Sequence, residues 1–161
     1  MAAGMSEQNK PMAWVALNSD AFRERFTDEE FQALTAESVD VDGKLTEILG
    51  QIALEIVSRV NVGRRKGALP PVKDTGLFIP PGSQRHAYTL ALKLLTDCFP
   101  SLRTYNGEDR TTAVETAEKH LEDLAKNEAD SDDEGAAEYA SSTLSPIRYS
   151  GYDKLDFVTI R

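Results

Sequence analysis

Few side chains in this 161-residue sequence are of types that do chemistry. The two histidines, His86 and His120, lie on separate stretches of helical periodicity, with no acidic or cysteine partner at ligand spacing. Each therefore reads as a helix-surface or boundary residue rather than a metal ligand. The one cysteine, Cys98, cannot form an internal disulfide. It sits in an apolar helical pattern, and a small buried hydrophobe is the expected role. Glu118 and Glu122 share a helix face at i, i+4, but a solvated face accounts for them more simply than acid–base work. Asp40 and Asp42 stand in a Val-Asp-Val-Asp-Gly segment, which lacks the longer ligand run ending in Glu that a calcium loop needs. Asp42 is expected to cap a helix instead. There is no glycine-rich loop ending in Lys-Ser/Thr, and no Ser-His-Asp order that the sequence singles out. These residues predict no catalytic site, no cofactor and no metal.

One basic cluster remains. Arg64, Arg65 and Lys66 sit between Gly63 and Gly67, at what reads as the tip of a long loop over residues 61–82 with four glycines and four prolines. Three cations flanked by glycines can adapt to a phosphate backbone. No aromatic side chains are interleaved for base stacking, so a solubilising tip, or an ionic contact to an acidic neighbouring subunit, is the favoured reading. The whole chain argues the same way. It carries 27 acidic against 18 basic residues, a net charge of -9, where a duplex binder needs concentrated positive charge. An acidic surface would suit a protein past which DNA must move without sticking.

The elements around these residues are mainly helical. Residues 1–12 are small and polar and read as a flexible arm, followed by a short apolar segment, Ala13 to Leu17, with Trp14 as its anchor to the core. Ser19 is a candidate N-cap for a turn that puts Phe22 and Phe26 on one face. Thr27 and Glu30 have capping-box spacing, and Phe31 and Leu34 continue an apolar face. Over Lys44 to Asn61, Leu45, Ile48, Leu49, Ile52, Ala53, Ile56, Val57 and Val60 recur at i, i+3, i+4, i+7 spacing, which predicts a long amphipathic helix. Ser83 to Phe99 predicts a second, capped by Ser83 and striped by Ala87, Leu90, Ala91, Leu94, Leu95 and Cys98, with Pro100 as its stop. Residues 101–107 read as a turn. A third helix over Arg110 to Asn127 has a narrow stripe of Ala113, Ala117, Leu121 and Leu124, which implies that it is exposed or covered by a neighbouring subunit. No apolar run is long enough to span a membrane.

An acidic run over residues 128–135 reads as a linker. The 136–161 segment beyond it is too short to form a core, yet it keeps Ile147, Tyr149, Tyr152, Leu155, Phe157, Val158 and Ile160. Disordered tails are poor in such residues. The segment is expected to be buried, either back on its own helices or as a strand added to a partner sheet. The acidic spacer favours the partner. The fold class is thus all-α: a small helical bundle over 13–127, with three main helices and short N-terminal helical turns, and an extended C-terminal docking arm over 136–161.

The order of these elements resembles a known family. Trp14-Val15-Ala16-Leu17, then Asp20-Ala21-Phe22-Arg23-Glu24-Arg25-Phe26, then Glu29-Glu30-Phe31-Gln32-Ala33-Leu34-Thr35 is similar to the opening of small head–tail connector (adaptor) proteins of tailed bacteriophages, including the Mu-like prophage group. The long helix, a Leu69-Pro70-Pro71 element and two further helices extend the resemblance over roughly residues 13–127. The longer 61–82 loop and the long tail depart from the pattern. The resemblance implies a non-enzymatic virion protein of the neck, made in the host cytoplasm. It implies a homo-oligomeric, dodecameric ring that joins the portal protein to the tail or a stopper protein and lines the DNA exit channel. The C-terminal arm would dock on the portal. Two other readings compete with it: a small helical regulator or antitoxin-like interaction module, and a nucleic-acid binder acting through residues 63–67.

Overall fold

A computed structural model describes residues 13–73 and 75–127 of the chain. The N-terminal arm, the acidic linker and the docking arm, including the seven expected partner-binding residues from Ile147 to Ile160, lie outside the described residues. The described part is mainly helical. In chain order it contains β1 (Val15–Ala16), α1 (Ser19–Arg23), α2 (Asp28–Glu37), α3 (Val41–Lys66), β2 (Phe78–Ile79), α4 (Gln84–Cys98) and α5 (Glu108–Lys126). Short 3₁₀ turns over Pro81–Ser83 and Pro100–Tyr105 lead into α4 and out of it. No helix among the described residues is long and apolar enough to cross a membrane.

The caps show how local chemistry places the first elements. The Asn18 side chain accepts the Asp20 N–H and starts α1, so Ser19, the expected cap, is the first helical residue instead. An amide oxygen reaches the free N–H groups of the first turn as well as a hydroxyl does. Thr27 and Glu30 form the reciprocal capping box expected of them: the Glu30 N–H donates to the Thr27 hydroxyl, and the Thr27 N–H donates to Glu30 Oε2. Asp40, not Asp42, caps α3 by accepting the Gly43 N–H at 3.0 Å. Asp42 points away and pairs with Arg23 of α1.

α3 is the spine. All eight of its expected stripe residues, Leu45 through Val60, are buried. Its opposite face is laced by exposed pairs, Lys44 with Glu47 and Arg59 with Glu55, of the kind that add little stability singly. α3, α4 and α5 pack pairwise on one another. Ala87 and Ala91 are fully buried where α4 meets its neighbours, since small side chains let helices approach. Trp14, Leu17, Phe22 and Leu34 close one end of this core. Phe22 lies edge-on to Phe26 and stacked on Tyr88 of α4, at centroid distances of 5.1 and 5.9 Å. The Tyr88 hydroxyl accepts the Asn18 N–H, which ties the N-terminal turns to α4 by both ring and polar tip.

Several expectations need correction. Ala117, Leu121 and Leu124 of α5 are buried within this chain against α3 and α4, so the narrow stripe needs no neighbouring subunit to cover it. A narrow stripe suffices because α5 fills the groove between two helices, whose own wider stripes supply the remaining apolar surface. Cys98 is exposed. It occupies the last residue of α4, where the chain is already turning at Phe99. The segment after α4, read as a turn, is a 3₁₀ turn that buries Leu102. A two-residue antiparallel pairing, Val15 with Ile79 and Ala16 with Phe78, joins the N-terminal segment to the Pro-rich connection. Neither segment is long enough for alternation to announce a strand.

Candidate interaction surface

The basic cluster is built differently from a loop tip. α3 runs through Asn61 to Lys66, because the residues that read as loop are held on its last turns by side-chain clamps. The Asn61 side-chain amide donates to the Val72 carbonyl at 3.1 Å, and its oxygen accepts the Val72 N–H at 2.7 Å. That pair of bonds mimics a strand pairing. Arg64 Nε donates to the Pro70 carbonyl at 2.8 Å, and the Leu69 N–H donates to the Arg64 carbonyl at 2.8 Å. The Leu69-Pro70-Pro71 segment is thus folded back against α3.

Arg64 is consequently 3% exposed. Successive helical residues are about 100° apart, so Arg64 points inward while Arg65 and Lys66 stay exposed on other sides. The structure therefore separates the three cations that were expected to act together as a flexible tip. Gly63 is not a turn residue but a contact: a Cβ built there would lie 2.2 Å from the Leu124 carbonyl oxygen of α5. Only glycine lets the two backbones approach this closely. The true turn is at Gly67 and Ala68, the latter with φ of 58°.

The surface beside this helix end is partly apolar. Leu54 is 70% exposed and Val62 is 38% exposed. With Ser58 and Arg65 they fall at i, i+4, i+8 and i+11, one continuous outer face of α3. Val72, Lys73, Thr75 and Gly76 form the opposite wall of an open groove along that face. Single exposed apolar residues are ordinary on protein surfaces. Here two of them, Leu54 and Val62, line one open groove.

A second assembly, invisible in the sequence, joins α4 to α5. The His86 and His120 rings stack at a centroid distance of 4.3 Å, and Ser83 Oγ lies 2.8 Å from His120 Nε2. The two histidines, read as helix-surface or boundary residues on separate helices, are half-buried and in contact with each other. Ser83 stands at the N-cap position of α4 but makes no side-chain cap bond, since its hydroxyl is committed to His120. Burial, reinforced by the nearby Arg85 charge, holds the His86 pKa below its ordinary 6.5. Burial and the His86 charge likewise hold His120 below 6.5, against a smaller upward pull from Asp123. Ser83 is fully buried, so its contact with a histidine offers no nucleophile to a substrate. Close by, Lys93 pairs with Glu118 at 2.8 Å across the exposed edge of the same two helices, and Glu122 is exposed. Among the described residues no three His, Cys, Asp or Glu side chains converge as metal ligands. No family model, no curated protein and no solved structure matches this chain.

Proposed function

We propose that this chain is a structural subunit of a tailed-phage neck, an adaptor that forms a ring joining the portal to the tail around the DNA exit path. In this reading residues 13–127 are the helical bundle that tiles into the ring wall. Residues 136–161 are the arm that docks on the portal through Ile147, Tyr149, Tyr152, Leu155, Phe157, Val158 and Ile160. The function is mechanical continuity rather than catalysis.

One observation carries the proposal. Five of the residues on which the connector resemblance rests, Trp14, Leu17, Phe22, Glu30 and Leu34, are buried in the described body. Trp14, Phe22 and Leu34 are buried together, and Thr27 and Glu30 form the capping box between them. A motif whose members meet in space is a better basis for a family resemblance than one scattered over the surface. The acidic balance supports the same reading, since it lowers affinity for DNA passing close by. Duplex binding through residues 63–67 loses support, because Arg64 is committed to Pro70.

The test is the mass of the assembly. Light scattering on the full chain, mixed with a tailed-phage portal protein, should give a ring-sized complex, visible as closed rings by electron microscopy. A tight dimer that persists with portal present would instead identify a small regulatory partner protein. Truncation after Asn127 should leave helicity intact and abolish attachment to the portal.

A further inference from the structure

We propose that the opening bounded by α4, α5 and the turn after α1 is a binding site for a small carboxylate with an apolar body, its acid group held between Arg25 and Arg110. The inference does not rest on the neck reading, because it uses neither the arm nor a ring.

The first support is that two guanidinium groups meet at one opening. Arg25 and Arg110 line a cavity of about 200 Å³ together with Tyr88, Leu92, Ala113 and Val114. Among the described residues no carboxylate lines it. Glu30 neutralises Arg110 only from the inner side, where it is 1% exposed. Two like charges at one opening repel, and an anion between them relieves that repulsion.

The second support is that each guanidinium is held in place and still has donors to spare. Arg25 Cζ lies over the Tyr88 ring, 5.1 Å from its centroid. The Arg25 N–H donates to the Phe22 carbonyl at 3.0 Å, which sets the two residues one turn apart, and Phe22 stacks on the same ring. A guanidinium resting on a ring face keeps its N–H groups available, and Arg25 has no ion-pair partner among the described residues. Arg110 is anchored by the pair of its Nη1 with Glu30 Oε1. Its other N–H donors have no protein acceptor among the described residues. Both forks are therefore positioned before a ligand arrives, which lowers the ordering cost of binding.

The third is the rest of the lining. Leu92, Ala113 and Val114 are half-buried and offer an apolar floor. The Thr89 hydroxyl at the rim is committed to the Arg85 carbonyl at 3.2 Å, so the arginines supply the donors. A guanidinium matches a planar carboxylate through paired N–H to oxygen bonds. Arg110 and Val114 also line a neighbouring cleft of about 320 Å³, which holds Asp97, Glu115 and Glu118. Lys93 in that cleft is already paired with Glu118. The carboxylates there repel an anion and confine the acid group to the arginine end.

The experiment is a methyl NMR titration of the full chain with benzoate, benzamide and inorganic phosphate in separate arms. Benzoate should shift the Leu92, Ala113 and Val114 methyl signals saturably. Benzamide has the shape without the charge, and phosphate has the charge without the ring, so each should bind severalfold more weakly. Arg25 is exposed, so Arg25→Gln should keep the parent's thermal unfolding while weakening benzoate roughly tenfold or more, the worth of one charged hydrogen bond. Arg59→Gln, on the outer face of α3, should leave benzoate affinity unchanged. The absence of a saturable benzoate shift would overturn the proposal. So would benzamide or phosphate binding as well as benzoate, an unchanged affinity in Arg25→Gln, or an equal loss in Arg59→Gln.

Discussion

Glu30 divides its two carboxylate oxygens between two helices: Oε2 accepts the Thr27 N–H that closes the start of α2, and Oε1 pairs with the Arg110 guanidinium in the first turn of α5. Glu30 is 1% exposed. A cap worth a modest amount on its own is thereby turned into a cross-brace between the N-terminal turns and the last helix. Removing one partner strands the other charge away from water, a loss of roughly 2–4 kcal/mol. Arg110→Ala and Glu30→Ala should each lower stability in urea denaturation by about that much. The double variant should lose far less than their sum. Additivity within about 0.5 kcal/mol would show that the pair is not coupled.

The same carboxylate sets a response to acid. Burial alone would raise the Glu30 pKa. The Arg110 hydrogen bond, the Thr27 N–H, the Arg110 charge and the Thr27 hydroxyl together outweigh it and hold the group below its ordinary 4.5. A depressed folded-state value means stability that is fully present above about 4.5 and lost as pH falls through the folded value. Wild-type stability should drop below pH 4.5 in denaturant titrations, and Glu30→Gln should flatten that drop.

The stacked histidines act in a higher window. Both are held below 6.5, so the unfolded chain takes up protons first. Stability should be constant above about pH 6.5 and decline as pH falls towards the folded values, with no further loss from this pair below them. In His86→Ala the decline between pH 6.5 and 5.5 should shrink. An unchanged slope would mean that the pair does not titrate in that range.

Gly63 is a packing residue. Gly63→Ala would drive a methyl into the Leu124 carbonyl. The expected loss is about 1–3 kcal/mol, the usual range for overpacking against rigid backbone. Gly50 faces open space on α3. Gly50→Ala should instead stabilise by up to about 1 kcal/mol through helix propensity, and the contrast in thermal unfolding isolates the contact from the propensity.

The basic cluster should divide in two. Arg64→Ala breaks a buried bond to Pro70 and should lower stability by roughly 1–3 kcal/mol. Arg65→Ala and Lys66→Ala, both exposed, should change stability by less than about 0.5 kcal/mol. Cys98, also exposed, should react with maleimide in the native chain at a rate close to that of the unfolded one.

The amino-acid pattern alone determined the features that depend on neighbours in sequence. The apolar period of α3 placed its buried stripe from Leu45 to Val60, though not Gly63 and Arg64 beyond it, and the Thr27–Glu30 spacing placed a capping box, because both are settled within one or two helical turns. The mainly helical class followed from the same local signals. Where local cues compete, they misled. Gly63 and Gly67 around three cations read as a loop, yet the Asn61–Val72 and Arg64–Pro70 bonds hold the first of these glycines and the cations within a helix. The groove depends on those clamps as well, since they bring residues 72–76 alongside α3. Only tertiary structure brought Ser83 to His120 and Glu30 to Arg110. Residues 37 and 80 positions apart leave no periodic trace of each other, since their meeting is fixed by how three helices cross rather than by any spacing along the chain.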